Sequence, residues 1–203
     1  MKQLIVDYLP FEIKPEHITE SIKENNGKLV VRGVLQRAES KNQNGRIYPR
    51  EVLMRESKKY LKEFISQHRA LGELDHPESS VVNLQNASHN ITEMHWEGDN
   101  LLGEVEVLGT PSGNILKELF KAGIKLGISS RGMGSVETVS EGGEQSQEVQ
   151  PDFELIAFDF VSNPSTHGAF MHPMKEGVEL IEGRTCGDYC KVEAIINDIM
   201  RGA

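Results

Sequence analysis

A β-hairpin signal in the middle of the sequence most constrains what this chain can fold into. Residues of about 89–97 and 101–108 alternate between apolar and polar side chains, and the turn sequence EGDN at 97–100 separates them. Alternation on both sides of a short glycine-containing turn is typical of two antiparallel strands. Two further runs, 28–36 and 153–161, are rich in β-branched and aromatic residues and read as strands. The sequence therefore predicts a largely antiparallel sheet.

Helical patterns are fewer than strand patterns. An apolar stripe predicts a helix over about 49–67, beginning at Pro49. A second helix is expected to begin at Thr110-Pro111 and to end at Gly123, and a last one covers about 188–201. Strands joined partly by hairpins and partly by helices indicate an α+β domain built on a mainly antiparallel sheet or barrel.

Three remaining stretches carry weaker signals. Residues 1–27 are polar and read as irregular structure. A strand broken by glycines is expected over 124–139, and the acidic stretch 141–150 is expected to be a mobile loop.

Composition excludes several classes of protein. The 22 Lys and Arg against 31 Asp and Glu give a net charge of −9, which argues against general binding to nucleic acid. No apolar run approaches the roughly 20 residues that span a bilayer, and the apolar stretch before Asp7 is too short for a signal peptide. Cys186 and Cys190 are the only cysteines, so a disulfide framework is excluded and two reduced thiols are expected. We therefore predict a reduced, cytosolic protein without a membrane partner.

The glycine-rich sequence GISSRGMG at 127–134 is the first candidate for chemistry. Glycines weaken a strand, so they indicate a bulge or a close backbone approach, and backbone N–H groups left unused there could form an oxyanion hole. Alternation places Ser130 on the face of Ile128 and Ser129 on the other face, which makes Ser129 the better nucleophile. The simpler alternative is a polar strand end with a turn.

A serine hydroxyl needs a base and an orienting group to become nucleophilic. His76 lies in a loop before Pro77, which favours an extended backbone and can fix the direction of the ring. Asp159 lies in an apolar strand, so its carboxylate needs a partner, for which either a histidine N–H or an arginine is suitable. A serine mechanism requires Ser129, His76 and Asp159 to converge.

Metal and cofactor chemistry have little support. His76, His89 and His95 could form a metal site, but no pair has HxH or HExxH spacing. No phosphate-binding or dinucleotide-binding fingerprint is present either. We therefore predict no metal and no cofactor, with a histidine-metal hydrolase as an alternative function.

Several segments together resemble the prohead core protein proteases of tailed phages, the serine endopeptidases of myovirus capsid assembly. The resemblance is carried by GELDHP, GISSRGMGS and FDFVSNPS, and extends to QRAESKNQNGRIYPREVL and NITEMHWEGDNLLGEVEVL. It covers about residues 28–175. It implies a fold like that of herpesvirus assemblins, a mainly antiparallel β-barrel surrounded by helices.

The resemblance also implies roles for single residues. His76 would be the general base, Ser129 the nucleophile and Asp159 the third member. Herpesvirus enzymes use a second histidine instead, so other residues stay open for the third role: Glu73, Asp75 and His89. Arg131 and Gly132 would supply the oxyanion site through a backbone N–H and the guanidinium.

The implied function is digestion of scaffold and capsid proteins, and then of the enzyme itself, inside the assembling prohead in the host cytoplasm. Family members cut after Glu with Leu or Ile two positions earlier, and an S1 pocket for Glu calls for a positive charge. Leu180-Ile181-Glu182-Gly183 fits this pattern, and Ile18-Thr19-Glu20 is a second candidate. The expected organisation is one protease domain, 1–182, and a helical tail, 183–203, removed by self-cleavage. An inactive scaffold component with the same fold is an alternative, and the resemblance leaves a homo-oligomer open.

Overall fold

The computed structural model describes residues 3–8, 15–75, 77, 79–124, 126–141, 144–162, 171–173, 179–181 and 184–186. The described helices are α1 (Pro15–Glu24), α2 (Arg50–Glu63) and α3 (Pro111–Lys121). The described strands are β1 (Gln3–Tyr8), β2 (Leu29–Arg37), β3 (Arg46–Ile47), β4 (Leu71–Glu73), β5 (Ala87–Glu97), β6 (Asn100–Val107), β7 (Gly127–Gly134), β8 (Val136–Glu141), β9 (Glu144–Val149), β10 (Glu154–Val161), β11 (Met171–Pro173), β12 (Glu179–Ile181) and β13 (Arg184–Cys186).

The predicted hairpin is confirmed and forms the centre of the largest sheet. Strands β5 and β6 pair antiparallel up to Glu97 and Asn100, and Gly98 adopts the positive φ of +55° that a tight turn requires. The sheet has five strands in the order β11-β2-β6-β5-β4, and each pair is antiparallel. The local turn signal therefore determined the pairing of these two strands.

A second sheet carries the glycine-rich sequence. It has three strands in the order β1-β7-β10, with β7 in the middle and both pairs antiparallel. A third has the order β3-β9-β8, and β12 pairs with β13. An isolated parallel bridge between Leu74 and Phe160 links the end of β4 to β10.

The α+β prediction is confirmed, but the strands described do not close into a barrel. They form four separate sheets, and the five-stranded sheet ends at β4 and β11. The Leu74–Phe160 bridge joins this sheet to the β1-β7-β10 sheet at one corner without merging them. Alternation in sequence predicts which residues form strands, whereas closure depends on long-range pairing that alternation does not encode.

Two predicted helices are confirmed, with corrections at their ends and faces. The pattern over 49–67 is α2 followed by a 3-10 turn at Ile65–Gln67. Thr110 caps α3, since its side chain accepts a hydrogen bond from the Gly113 N–H at 3.1 Å. One apolar residue of each helix, Leu61 of α2 and Ile115 of α3, is exposed instead of packing in the core. The helix predicted over 188–201 falls outside the described residues.

Three other predictions for local structure were wrong. Residues 1–27 contain β1 and α1 instead of irregular structure, and β9 lies within the stretch 141–150 expected to be a loop. The single strand expected over 124–139 is two strands, β7 and β8. Strands β7, β8 and β9 contain many polar or glycine residues, so tertiary pairing rather than local propensity determines them.

The aromatic face of β10 packs into the core. Phe158 meets Tyr60 of α2 edge to face at 5.7 Å, and Phe160 meets Phe120 of α3 at 5.4 Å. Asp159 lies between these two residues, so alternation turns its side chain to the opposite face of the sheet. Among the helices described, none is long and apolar enough to cross a membrane.

Candidate active site

The strand register brings two of the three predicted catalytic residues together. Ser129 in β7 lies directly opposite Asp159 in β10, and both side chains are fully buried. Residues directly opposite in an antiparallel pair share one face of the sheet, with Cβ atoms about 4.5–5.5 Å apart. The hydroxyl and the carboxylate are therefore neighbours on one face.

The two adjacent serines point to opposite faces, as alternation predicted. Ser130 lies opposite Phe158, on the core face, where its Oγ accepts a hydrogen bond of 2.7 Å from Nε2 of Gln36 in β2. The Ser129 hydroxyl makes a longer contact of 3.4 Å to the Ser130 carbonyl. Only Ser129 shares a face with Asp159.

Two of the three glycines of β7, Gly132 and Gly134, are required by a close approach, as expected. A Cβ added to Gly132 would lie 2.4 Å from the Phe153 ring, and one added to Gly134 would lie 2.9 Å from the Phe153 Cα. Both distances are too short for any larger residue. The irregularity in the pairing lies in β10, between Leu155 and Ala157, whereas β7 continues through it.

Both edges of β7 are paired. Residues Ser129 to Gly134 are in register with β1, and Gly127 to Met133 are in register with β10. Successive N–H groups of a strand point to alternate edges, so those of Arg131 and Gly132 each face a neighbouring strand. The oxyanion role of these two residues stays a prediction.

The Asp159 carboxylate has an arginine partner. Oδ2 accepts a hydrogen bond of 2.8 Å from Nε of Arg131, and Oδ1 accepts one of 3.2 Å from Nη2. The Glu73 backbone N–H also donates to Oδ1 at 3.0 Å. A carboxylate can accept about four hydrogen bonds, so these three do not exclude a histidine partner.

Arg131 connects Asp159 to the segment that follows β4. Its Nη2 donates to Oε1 of Glu73 at 3.0 Å, and its Nη1 donates to the Ser79 carbonyl at 2.6 Å. The side chains of Glu73, Arg131 and Asp159 have no exposed surface. We call these three residues the ion cluster.

His76 lies outside the described residues, but the chain that leads to it is anchored beside β10. The Leu74 N–H donates to the Asn86 carbonyl at 3.1 Å, and the Asp75 N–H donates to the Phe160 carbonyl at 2.7 Å. Asp75 has a φ of +69°, in the left-handed region that aspartate tolerates better than most residues. Position 75 is thus fixed next to Phe160, which follows Asp159 in sequence.

His89, an alternative third member, has protein partners on both ring nitrogens. Nε2 lies 2.9 Å from the Phe158 carbonyl, to which it donates, so Nδ1 accepts from the Ser88 hydroxyl at 2.8 Å. Burial lowers the His89 pKa to about 4, although Asp159 acts in the opposite direction. His95 is exposed, with Nε2 3.3 Å from Glu97. Across the described ranges, no three His, Cys, Asp or Glu residues are grouped as metal ligands would be.

Comparison with known proteins identifies the family. Residues 5–180 match the family described as "Prohead core protein serine protease". The chain belongs to this family. It is 33% identical over 160 residues to the prohead core protein protease of Enterobacteria phage T4, which covers 77% of this chain and 72% of the relative. The solved structure of the bacteriophage T4 capsid assembly protease is similar with a TM-score of 0.67 and 26% identity, covering 80% of this chain and 99% of that one.

The close association of Arg131 with Glu73 in this prohead protease was not predicted from the sequence. Glu73 was considered only as a substitute third member, and Arg131 only as an oxyanion donor. An arginine within a strand whose neighbours are buried was the available signal, since a buried guanidinium requires acidic partners. Which of the 31 acidic residues would pair with it depends on strand register, which the sequence does not show.

The neutral state of His89 predicts a pH dependence of the protease's stability. The ordinary pKa is 6.5 and the folded value is about 4, so between these values the unfolded chain binds more protons than the native one. The free energy of unfolding should therefore fall as pH decreases from about 6.5 to about 4, by about 3 kcal/mol in all. Urea unfolding at several pH values measures this, and His89→Gln should reduce the slope in this window. An equal slope in both proteins would contradict the assignment.

Proposed function

We propose that this protein is a serine endopeptidase of phage prohead maturation, which cleaves scaffold and capsid proteins and itself. The observation that carries the proposal is the pairing of Ser129 with Asp159 across β7 and β10. The hydrogen bond from Asp75, beside this pair, supports it further, because His76 is the next residue. Family membership supplies the class of reaction.

In the proposed reaction, Ser129 Oγ attacks the scissile carbonyl carbon while the His76 imidazole accepts the hydroxyl proton. The tetrahedral intermediate collapses as the imidazolium gives that proton to the leaving amine, which leaves an acyl-enzyme on Ser129. Water then attacks the ester, His76 accepts a proton from it, and the serine is regenerated by the return of that proton. Asp159 orients the imidazole and stabilises its charged form.

Access to Ser129 requires a covering segment to move, and oxyanion stabilisation requires a backbone N–H of β7 that is not used in strand pairing. Ser129 has no exposed surface, so a peptide reaches it only after a covering segment shifts. We propose that a backbone N–H of Arg131 or Gly132 then stabilises the oxyanion, because such donors act where negative charge develops.

The substrates and the location are proposed from the relatives. The T4 proteins are described as a prohead core protein protease and a capsid assembly protease. We propose that this chain likewise cuts core and capsid proteins, inside the assembling prohead in the host cytoplasm. A distant relationship to the herpesvirus assemblins is part of the same proposal.

Self-cleavage is proposed after Glu182, in Leu180-Ile181-Glu182-Gly183. Residues 182 and 183 lie outside the described residues, but β12 and β13 on either side pair antiparallel, with Ile181 opposite Arg184. Cleavage there would separate the two strands. It would leave a protease domain of residues 1–182 and release a tail of 183–203.

Mass spectrometry of the purified protein tests this function. We expect wild-type protein to accumulate a product that ends at Glu182, and to cleave a synthetic Leu-x-Glu peptide after Glu. Glu182→Gln should stay intact while cleaving the peptide, because only the recognised side chain has changed.

Glu179→Gln is the matched control, since the residue two positions before it is Gly177. It should self-cleave like wild type. An active enzyme that remains intact to Ala203 overturns the self-cleavage proposal. Protein that cuts neither itself nor any peptide overturns the whole function and favours an inactive scaffold component. Cleavage that stops on addition of a chelator favours a metal hydrolase.

A further inference from the structure

We propose that Arg131 is the positioning residue of the active site, because it holds both the Asp159 carboxylate and the loop that carries His76. We call residues 74–82 the histidine loop. The inference rests on the proposed function, since it assigns Arg131 to the same reaction. It differs from an oxyanion role because the guanidinium acts through other residues.

The three nitrogens of the guanidinium point to three separate parts of the chain. Nε reaches Asp159 in β10, Nη2 bridges Asp159 and Glu73 at the end of β4, and Nη1 reaches the Ser79 carbonyl in the histidine loop. Arg131 itself lies two residues after Ser129 in β7, so both side chains are on one face. One side chain therefore fixes the position of the loop relative to the nucleophile strand.

Glu73, which directly precedes the histidine loop, is hydrogen-bonded both to Asp159 and to the residue that follows the loop. Its backbone N–H donates to Asp159, and its Oε1 accepts a hydrogen bond of 3.0 Å from the Asn83 N–H, just after the loop. The same Oε1 accepts from Arg131. The residues that flank the loop, Glu73 and Asn83, are thus hydrogen-bonded to each other, and Arg131 holds the loop at Ser79 between them. Fixing these points lowers the entropy cost of closing the loop.

Both the positive charge and the planar shape of the Arg131 guanidinium are needed for these contacts. Two fully buried carboxylates face one guanidinium, so loss of the cation would leave two negative charges buried beside each other. A lysine keeps the charge but is a single point donor, and it cannot reproduce a planar fork that bonds in three directions. Arg131→Lys therefore separates the role of geometry from that of charge.

A shift of the His76 base away from the Ser129 nucleophile should lower kcat. A misplacement of about 1 Å costs on the order of 100-fold in rate, whereas substrate binding elsewhere is unchanged. Arg131→Lys should thus lower kcat about 100-fold and leave KM within about twofold of wild type. The backbone amide of Asn83 should exchange hydrogen at least about tenfold faster, because its acceptor, the Glu73 carboxylate, is no longer held by Arg131.

Glu73 provides an independent pair of variants. Glu73→Gln keeps a side-chain oxygen for Arg131 and Asn83, so kcat should stay within about fivefold of wild type. Glu73→Ala removes that oxygen and should resemble Arg131→Lys in kcat, KM and exchange. If Glu73 instead orients the histidine through its charge, Glu73→Gln will be as inactive as Glu73→Ala.

Arg55→Lys is the matched control. Arg55 also donates to two backbone carbonyls, of Pro151 and Phe153, and to a carboxylate, of Glu56, and none of these partners belongs to the ion cluster. It should keep wild-type kcat within about twofold.

Several outcomes overturn the inference. Wild-type kcat in folded Arg131→Lys does so, and if this variant does not fold, wild-type kcat in Glu73→Ala does the same. A loss of kcat in Arg131→Lys with unchanged exchange at Asn83 assigns the guanidinium to the oxyanion instead. Failure of the proposed function is distinguishable, because either wild-type protein would then cut no peptide at all, or Ser129→Ala would stay as active as wild type, whatever happens at Arg131.

Discussion

Alanine in place of Ser129 is expected to lower kcat for peptide cleavage by about 10⁵- to 10⁶-fold, because no other group can form the acyl-enzyme. The protein should stay folded. The substitution removes one hydroxyl, and the net contribution of a typical side-chain hydrogen bond to stability is small. Its effect on stability should be about 1 kcal/mol or less.

Ser130→Ala is the matched control for this experiment. It also removes one buried hydroxyl from β7, and it leaves Nε2 of Gln36 without the acceptor it has now. We expect a loss of about 1 kcal/mol in the free energy of unfolding, since one buried hydrogen bond is removed, but retention of most activity. A fluorophosphonate probe should label wild type and Ser130→Ala and fail to label Ser129→Ala. Labelling at Ser130 with full activity in Ser129→Ala would contradict the assignment.

Local signals in the sequence predicted those parts of the fold that local interactions determine. The hairpin of β5 and β6 follows from alternation around Gly98, and the start of α3 follows from the cap at Thr110. The opposite faces of Ser129 and Ser130 follow from strand geometry alone. Each of these features is determined by residues that are close together in the sequence.

The remaining structure depends on pairing between distant segments. Strand β1 exists because it pairs with β7 more than 120 residues later, with Ile5 buried opposite Gly132. Strand β9 is polar and pairs with β3 and β8. Neither pairing leaves a periodic apolar signal, which is why both segments looked irregular in the sequence.

The candidate site shows the same limit. Residue types predicted a nucleophile in β7 and a buried carboxylate in β10, but the register that sets Ser129 opposite Asp159 is a long-range property. Residue types alone are compatible with either a histidine or an arginine as the partner of Asp159. The structure shows the arginine, and it shows that this contact belongs to the ion cluster with Glu73. The histidine contact stays a prediction, since His76 lies outside the described residues.

Asparagine in place of Asp159 should affect both catalysis and stability, because the carboxylate has two partners in our proposal. Loss of the orienting charge should lower kcat by about 10⁴-fold, as expected when the base is left in the wrong tautomer. The free energy of unfolding should fall by about 3 kcal/mol, since one partner of a buried ion pair is removed. Glu73 still compensates part of the Arg131 charge, which favours the lower end of the range for such substitutions.

The two effects can be measured on one protein and separated by controls. Asp99→Asn removes an aspartate that pairs with Arg50 at the surface, where both side chains are exposed, and should cost less than about 1 kcal/mol with no change in kcat. If Asp159→Asn is destabilised as expected but keeps kcat within about tenfold of wild type, then Asp159 serves the ion cluster alone. The orienting group must then be sought among Glu73, Asp75 and His89. Of these, Glu73 and Asp75 each have a carboxylate that can accept a hydrogen bond from the imidazole. His89 is the weakest substitute, because both of its ring nitrogens already bond to Ser88 and Phe158.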